Sequence, residues 1–593
     1  VLPIMTGGRE STSAARATAL EPTPRENARL ARRVCDFATI PEALDYAARG
    51  ETGLNIYSAR GELAERLSYR ELRDQAIPLA RRLLASGLRP GDRMAILADT
   101  HGDFMRVFFA AQYAGIVPAP LPLPATFGGR EAYVEQIARQ IASCGARAAT
   151  GPEELIPYLR QAAADRDLAV LGSASELAAL PEGGHDLPAI APDALCYLQF
   201  SSGSTRFPLG VAVSHAAALH NARAIALHGL RITASDRCTS WLPLYHDMGL
   251  VGFLLTPLSC QMSIDYLATR DFARRPLLWL NLVSRNGGTL SFSPTFGYEL
   301  CARRASASAL EGLDLSSWRV AGIGGDMIRP AVMARFAAAF APAGFRASAF
   351  VPSYGLAESV LAVSFAPLDQ GVATDRVDLD RLESEGRAEA AAPGARSREF
   401  ALCGVPMPGH EVEIRGEAGP IRGERRVGRV YTRGRSVMRS YFGAPEETAR
   451  AIGPDGWLDT GDLGYRLGDQ IVITGRVKDL ILVNGRNVWP QDLEWAAEHV
   501  EGLRSGDVAA FSVEDAEGER VVALVQCRPT EPGARAALMR AVEGAIGEAC
   551  GVECTAVPVG AHALPQTSSG KLSRTKAKAL YLAGAFAPSK APA

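Results

Sequence analysis

Leu198-Gln199-Phe200-Ser201-Ser202-Gly203-Ser204-Thr205-Arg206-Phe207-Pro208-Leu209-Gly210-Val211 is the stretch on which the reading of this chain turns. A strand runs into a small, hydroxyl-rich turn. The turn gathers backbone N–H groups and several hydroxyls from Ser201, Ser202, Gly203, Ser204 and Thr205, with Arg206 beside them, at one point, as phosphate binding requires. It lacks the spacing of a Walker-type P-loop. By composition alone it also fits a plain polar loop.

Outward from that turn a strand-then-helix rhythm recurs. Ser68 can cap a helix that begins at Leu67, carries an apolar face through Leu72, Ile77, Leu79, Leu83 and Leu84, and ends at Gly87. The run Met94 to Leu97, bounded by Pro90-Gly91 and Asp99, reads as a buried strand, and an apolar helix through Phe104, Val107 and Phe108 follows it. This alternation implies an α/β architecture with largely buried sheets.

At 593 residues the chain is longer than one core can serve, since single cores stop growing at roughly 250 to 300 residues. The expected division is a poorly ordered leader over 1–35, a large N-terminal domain of packed α/β subdomains over 36–474, a small mobile α+β C-terminal domain over 475–585, and a Pro-Ala-Ser-Lys tail over 586–593. Residues 366–400, with Asp375, Asp378, Asp380, Glu383 and Glu385 followed by an Ala-Pro-Gly run, read as a surface excursion from the large domain.

Charged residues make up 22% of the chain and the formal net charge is -2, so no global field draws it to nucleic acid or anionic lipid. Any anion site must be local. No apolar run approaches the roughly 18 residues of a membrane span, and no signal-peptide core follows the first residues. The ten cysteines are scattered, and Cys550 and Cys554, the nearest pair, lack C-x-x-C spacing. These features point to a cytoplasmic protein with reduced packing cysteines, no nucleic-acid partner and no stable membrane insertion.

Further strings carry chemistry. Trp241-Leu242-Pro243-Leu244-Tyr245-His246-Asp247-Met248-Gly249-Leu250 opens an apolar helix through Val251, Gly252 and Phe253; a lone His-Asp pair lacks the ligand count for zinc and also fits a helix cap. Gly322-Ile323-Gly324-Gly325-Asp326 follows a short strand, and its glycines let a planar ring approach the backbone. In Pro352-Ser353-Tyr354-Gly355-Leu356-Ala357-Glu358, Tyr354 can stack on a base and Glu358 offers hard oxygen ligands suited to Mg²⁺. Gly456-Trp457-Leu458-Asp459-Thr460-Gly461-Asp462 sets a carboxylate on a tight turn, able to accept two hydroxyl hydrogen bonds. Gly475-Arg476-Val477-Lys478-Asp479 is a basic turn, and Leu564-Pro565-Gln566-Thr567-Ser568-Ser569-Gly570-Lys571 is a polar loop ending on a lysine.

In their order these strings resemble the signature motifs of the adenylate-forming superfamily, and Arg206 and the string Gly485-Arg486-Asn487 resemble its fatty acyl-AMP ligase branch. The resemblance spans about residues 40–580. It departs from the common pattern at Leu209, which stands where the phosphate loop usually carries a lysine. The resemblance implies the adenylate-forming fold and a reaction in which a fatty acid and MgATP give acyl-adenylate and pyrophosphate. It assigns Lys571 to transition-state stabilisation and His246 to the acyl carboxylate. Ser201 to Arg206 would take phosphate, and Gly324, Gly325, Asp326, Ser353, Tyr354, Gly355, Asp462 and Arg476 the nucleoside. Glu358 would take Mg²⁺, Met248, Gly249, Val251 and Gly252 the acyl pocket, and Lys478 the hinge.

One lysine suffices chemically for its assigned role, because an ammonium at about 4 Å from growing phosphoryl charge contributes roughly 4 kcal/mol at an effective dielectric of 20. The insertion at 366–400 resembles the one that distinguishes fatty acyl-AMP ligases, which implies transfer of the acyl group to the phosphopantetheine arm of an acyl carrier protein instead of free coenzyme A. Three other readings stay open at this stage: a fatty acyl-CoA ligase, an amino-acid adenylation domain, and a nucleotide or acyl-adenylate sensor without turnover.

Overall fold

The computed structural model describes residues 20–124, 129–200, 209–483, 486–515, 518–528, 531–567 and 571–586. The first long helix runs Tyr69–Ala85. Ser68 accepts from the Glu71 N–H while the Glu71 carboxylate accepts from the Ser68 N–H, a reciprocal capping box. Leu72, Ala76, Leu79, Ala80 and Leu83 form its buried face. The helix tolerates Pro78 inside it, and Gly87, just past its end, takes the left-handed φ of 87°.

Two sheets stand beside each other in the first part of the chain. The smaller is all parallel, in the order Val117–Leu121, Arg93–Leu97, Ala148–Gly151, Val170–Ser173. The larger has nine strands. Its parallel centre reads Phe350–Gly355, Val320–Ile323, Leu290–Ser293, Cys238–Ser240, Ile264–Leu267 and Gly53–Tyr57, and antiparallel strands close both edges. Leu54 pairs with Ile264 across this sheet. The strands are short apolar runs buried on both faces, as a sheet covered by helices demands. Their carboxyl ends carry the Gly324-Gly325, Trp241-to-His246 and Ser353-to-Glu358 segments, where open α/β sheets take their ligands.

A five-stranded antiparallel sheet follows, ending in Leu458–Leu467 and Gln470–Arg476. After the short turn Val477–Asp479, the chain builds a separate core. Strands Val508–Asp515, Gly518–Gln526 and Cys554–Val559 form its sheet, against helices Pro490–Ala497, Pro532–Cys550 and Arg574–Leu582. The mixed α/β fold matches the expected class.

Three expectations need correction. Residues 20–35 are not a loose leader: Thr23 is buried, its N–H donating to Asn55 Oδ1 (2.8 Å) and its carbonyl accepting from Arg237 (2.8 Å). Asn27 caps the N–H groups of Glu51 and Thr52, and Cys35 donates to Ser259 O. Residues 1–19 lie outside the described residues. The excursion at 366–400 is packed: strands Thr374–Asp378 and Ser397–Ala401 pair antiparallel around helix Leu379–Glu385, and Val377, Leu382 and Phe400 are buried with Tyr465, Val472 and Trp489. Its acids are engaged too, Asp375 accepting from Arg425 and Tyr465. Asp462 lies within the strand Leu458–Leu467 and not on a turn: it pairs with Arg476, just past a bulge in the neighbouring ladder where Gly461 takes a φ of 71°.

All ten cysteines are free thiols, and nine are buried. Among the described residues no helix is long and apolar enough to cross a membrane.

Candidate active site

A cavity of about 460 Å³ opens at the carboxyl ends of the large sheet. His246, Met248, Gly324, Gly325, Ser353, Tyr354, Gly355, Glu358, Asp462, Arg476, Lys478 and Lys571 all line it, so segments more than 300 residues apart in sequence meet at one place. Asp326 lines an adjoining recess of about 220 Å³ that shares Gly325, Tyr354, Arg476 and Lys571 with the first.

Gly325 shows why this backbone needs glycine. Its φ is 77°, in the left-handed region that side chains rarely adopt, while the space beside it, bounded by Lys571 Nζ and the Met248 methyl, would take a Cβ at ordinary contact distance. The lysine arrives from the far end of the chain on a small closed loop: Thr567 N–H donates to Lys571 O (2.7 Å), and Lys571 N–H donates to Thr567 Oγ1 (3.2 Å). Its ammonium donates to Gly325 O. Burial pushes this ammonium below the usual lysine range, while Asp326 and Asp247 oppose that shift.

On the nucleoside side, Tyr354 donates to Asp462 Oδ2 (2.8 Å) and Arg476 Nε stands 3.2 Å from Asp462 Oδ1. Burial pushes the Asp462 carboxyl up against the pull of Arg476, and the Asp462 charge in turn holds Arg476 above its ordinary value. Lys478, expected as a hinge, lines the same cavity; burial and then Arg476 push its ammonium down.

His246 precedes the helix Asp247–Leu250, with Nδ1 2.6 Å from Asp247 Oδ1, and the Met248 N–H donates to the same carboxylate oxygen (2.7 Å). Burial alone would raise the Asp247 carboxyl, but His246 and Lys571 outweigh it and hold it below the usual range. Glu358 accepts from the Tyr441 hydroxyl at 2.9 Å, and burial pushes its carboxyl up.

The acyl residues divide. Met248 and Gly252 line the cavity, with Phe253, Ile225, Leu230, Phe292 and Phe365 forming an apolar wall. Gly249 and Val251 face elsewhere: a Cβ on Gly249 would lie 2.1 Å from Pro243 O, and Val251 is packed in the core. The helix passes from Val251 into a π-helical turn, Val251–Leu255. The phosphate residues Ser201 to Arg206 lie outside the described residues; the strands flanking them, Leu195–Phe200 and Gly210–Ser214, pair antiparallel, and Leu209 lines the cavity. Tyr441 and the Ile225, Leu230, Phe292 and Phe365 wall were missed in the sequence, which holds them at unrelated positions with no shared period.

A Mg²⁺ ion takes oxygen ligands and is commonly held through one or two carboxylates together with substrate phosphates and water. Among the described residues no group of three or more His, Cys, Asp or Glu side chains converges as a dedicated cage. Glu358, one of the carboxylates lining the cavity, fits the sparser arrangement.

The comparisons with known proteins agree with this architecture. Residues 48–442 match the family described as AMP-binding enzyme. The chain therefore belongs to the AMP-binding enzymes, and within them it is an acid–AMP ligase. A Caulobacter vibrioides protein named "Putative acyl-CoA synthetase" is 55% identical over 93% of this chain and 97% of its own length. The medium-chain-fatty-acid–[acyl-carrier-protein] ligase JamA of Moorena producens is 31% identical over 93% of this chain and 96% of its own. A solved chain from structural and functional studies of fatty acyl-adenylate ligases from E. coli and L. pneumophila superposes with a TM-score of 0.90, at 44% identity, covering 94% of this chain and 100% of that one. These relations bear out the family resemblance carried by the motifs.

Proposed function

We propose that the chain activates a fatty acid with MgATP, releasing pyrophosphate and forming fatty acyl-AMP, and then passes the acyl group to the phosphopantetheine arm of an acyl carrier protein. The observation that carries the first half is that one cavity lining brings together an apolar wall, a Tyr354–Asp462–Arg476 cluster and the Lys571 ammonium. The apolar wall takes the acyl chain and excludes water from it. His246, oriented by Asp247, sits where the carboxylate enters, and Asp462 accepts from the ribose hydroxyls. As the carboxylate attacks the α-phosphate, Lys571 meets the charge that grows on the phosphoryl oxygens, an interaction stronger in the transition state than in the ground state. Glu358 would hold Mg²⁺, which when bound neutralises phosphate charge.

Transfer to a carrier protein is supported by the packing of the insertion against the C-terminal segment. Glu383 accepts from both Arg396 and Arg486, and Arg398 lies between the Phe400 and Trp495 rings, 2.7 Å from Asp492. An insertion bonded in this way can favour one placement of the C-terminal segment over another. The Caulobacter relative's name favours a second reading, a fatty acyl-CoA ligase.

Two measurements test these statements. Incubation with MgATP and a mixed fatty-acid pool, followed by mass spectrometry, is expected to show fatty acyl-adenylates; pyrophosphate release that no fatty acid stimulates would refute the first half. Adding free coenzyme A or a holo carrier protein then separates the fates of the acyl group, and rapid acyl-CoA formation would decide for the CoA ligase.

A further inference from the structure

Glu358 stands at the start of a backbone turn that few side chains adopt. Val360, two residues on, has φ 70° and ψ −58°, on the left-handed side where a β-branched residue is an outlier. Such a conformation persists only where the surroundings over-determine it. Asn221, fully buried on helix His215–Ala224, donates from Nδ2 to Ser359 O (3.2 Å) and Ala362 O (2.9 Å) and accepts at Oδ1 from the Ala362 N–H (3.1 Å). The Met438 N–H donates to Glu358 O at 2.7 Å, and Asn221 Nδ2 also reaches Ser436 Oγ in the same segment (3.0 Å).

The segment that carries Met438 does more than clamp this turn. Three residues later the Tyr441 hydroxyl donates to Glu358 Oε1 at 2.9 Å, on the wall of the cavity. The same segment is bonded to the strand that leaves the Ser/Gly-rich turn: Phe442 N–H donates to Gly210 O (2.7 Å) and Ala212 N–H to Ser440 O (3.2 Å). The Tyr441 N–H is held in turn by Thr448 Oγ1 (3.0 Å) on helix Pro445–Ala451. One short stretch thus touches the carboxylate, the backbone around it, and the exit of the phosphate-side loop.

We propose that Tyr441 is a positioning residue, whose hydroxyl holds the Glu358 carboxylate in register with the strand beyond the Ser/Gly-rich turn, so that the phosphates of a nucleotide and its divalent cation meet both together. The proposal rests on the reading of Glu358 as the Mg²⁺-holding residue. Tyr441 acts through Glu358 and takes no part in bond making.

The test is calorimetric binding of MgATP, without fatty acid, to the full chain and to Tyr441→Phe, Glu358→Gln and the double variant, with melting temperatures measured alongside. Phenylalanine keeps the ring's packing and removes only the donor. Tyr441→Phe is expected to weaken MgATP about tenfold, the scale of one hydrogen bond to a charged group. Binding of ATP in excess chelator should change less than about twofold. The double variant should match Glu358→Gln alone, because both changes remove one coupled unit. Wild-type MgATP affinity in Tyr441→Phe beside a weakened Glu358→Gln would overturn this inference and leave the reading of Glu358 standing. Additive losses would overturn it also, and so would a fall in melting temperature with MgATP affinity intact, which marks a packing residue. Wild-type affinity in Glu358→Gln would overturn both.

Discussion

The C-terminal segment meets the rest of the chain at two kinds of contact, built on different physics. At the cavity the flexible Lys571 side chain crosses over, and its Nζ donates to a neutral backbone acceptor, Gly325 O. At the insertion the contact is buried and multiple: Glu383, 2% exposed, gathers Arg396 and Arg486, while Arg398, 6% exposed, is stacked between two aromatic rings and paired with Asp492. Arg329, at the start of helix Pro330–Phe340, adds a 2.9 Å pair to Glu498 and lies over the Trp495 ring. The lysine therefore does not anchor the segment that carries it. Its placement is set remotely, by groups that never approach the reacting atoms.

If that division holds, breaking either contact has a separable result. Lys571→Ala is expected to lower adenylate formation by about 10² to 10³, with ATP affinity only modestly reduced, because its main interaction arises in the transition state. Pyrophosphate release at the wild-type rate would refute it. Shortening residues 366–400 should instead leave adenylate formation largely intact and raise acyl-CoA formation by up to about a hundredfold, the effect of removing a bias of roughly 2.8 kcal/mol between arrangements. An unchanged CoA rate would remove the insertion from the explanation.

The pH dependence sharpens the same contrast. Burial lowers the Lys571 pKa in the free enzyme, so its charge is lost on the alkaline side before the ordinary lysine value of about 10.4 is reached. kcat/KM for ATP should fall across that alkaline limb, and kcat should persist to higher pH, because bound triphosphate stabilises the ammonium. Lys571→Ala should abolish the limb. The smallest effect concerns Arg206, which would supply the phosphate-side charge that Leu209 cannot. Arg206→Ala is expected to weaken MgATP by about tenfold or less, judged by equilibrium binding.

What the sequence disclosed was local. Ser68 announces a capped helix because a cap is a local feature of the chain, and Tyr354, Glu358, Arg476 and Lys571 each stand in a contiguous string. The opposite wall could not be found this way. Ile225 and Leu230 come from one π-helical turn and its cap and Phe292 and Phe365 from two distant strands, and only the fold brings them together. Val251 was misplaced because a wholly apolar run does not say which of its residues face the core, and Asp462 because a Thr-Gly-Asp string can stand inside a strand. The acids of the insertion looked solvated, since their arginine partners lie elsewhere in the chain: Asp375 meets Arg425 and Glu383 meets Arg486.

During synthesis the central sheet imposes a wait. The strand Gly53–Tyr57 leaves the ribosome well before its parallel neighbour Ile264–Leu267, which is about 210 residues further on, the separation of Asn55 from Asp265. At about 5 to 20 residues per second that is roughly 10 to 40 seconds. The hairpin with Leu63–Ser68 covers one edge of the strand in the meantime. The other edge, apolar and unpaired, is open to chaperones or to other nascent chains, so slower growth at low temperature and chaperone supply should govern the yield of folded enzyme more than any substitution in its active site.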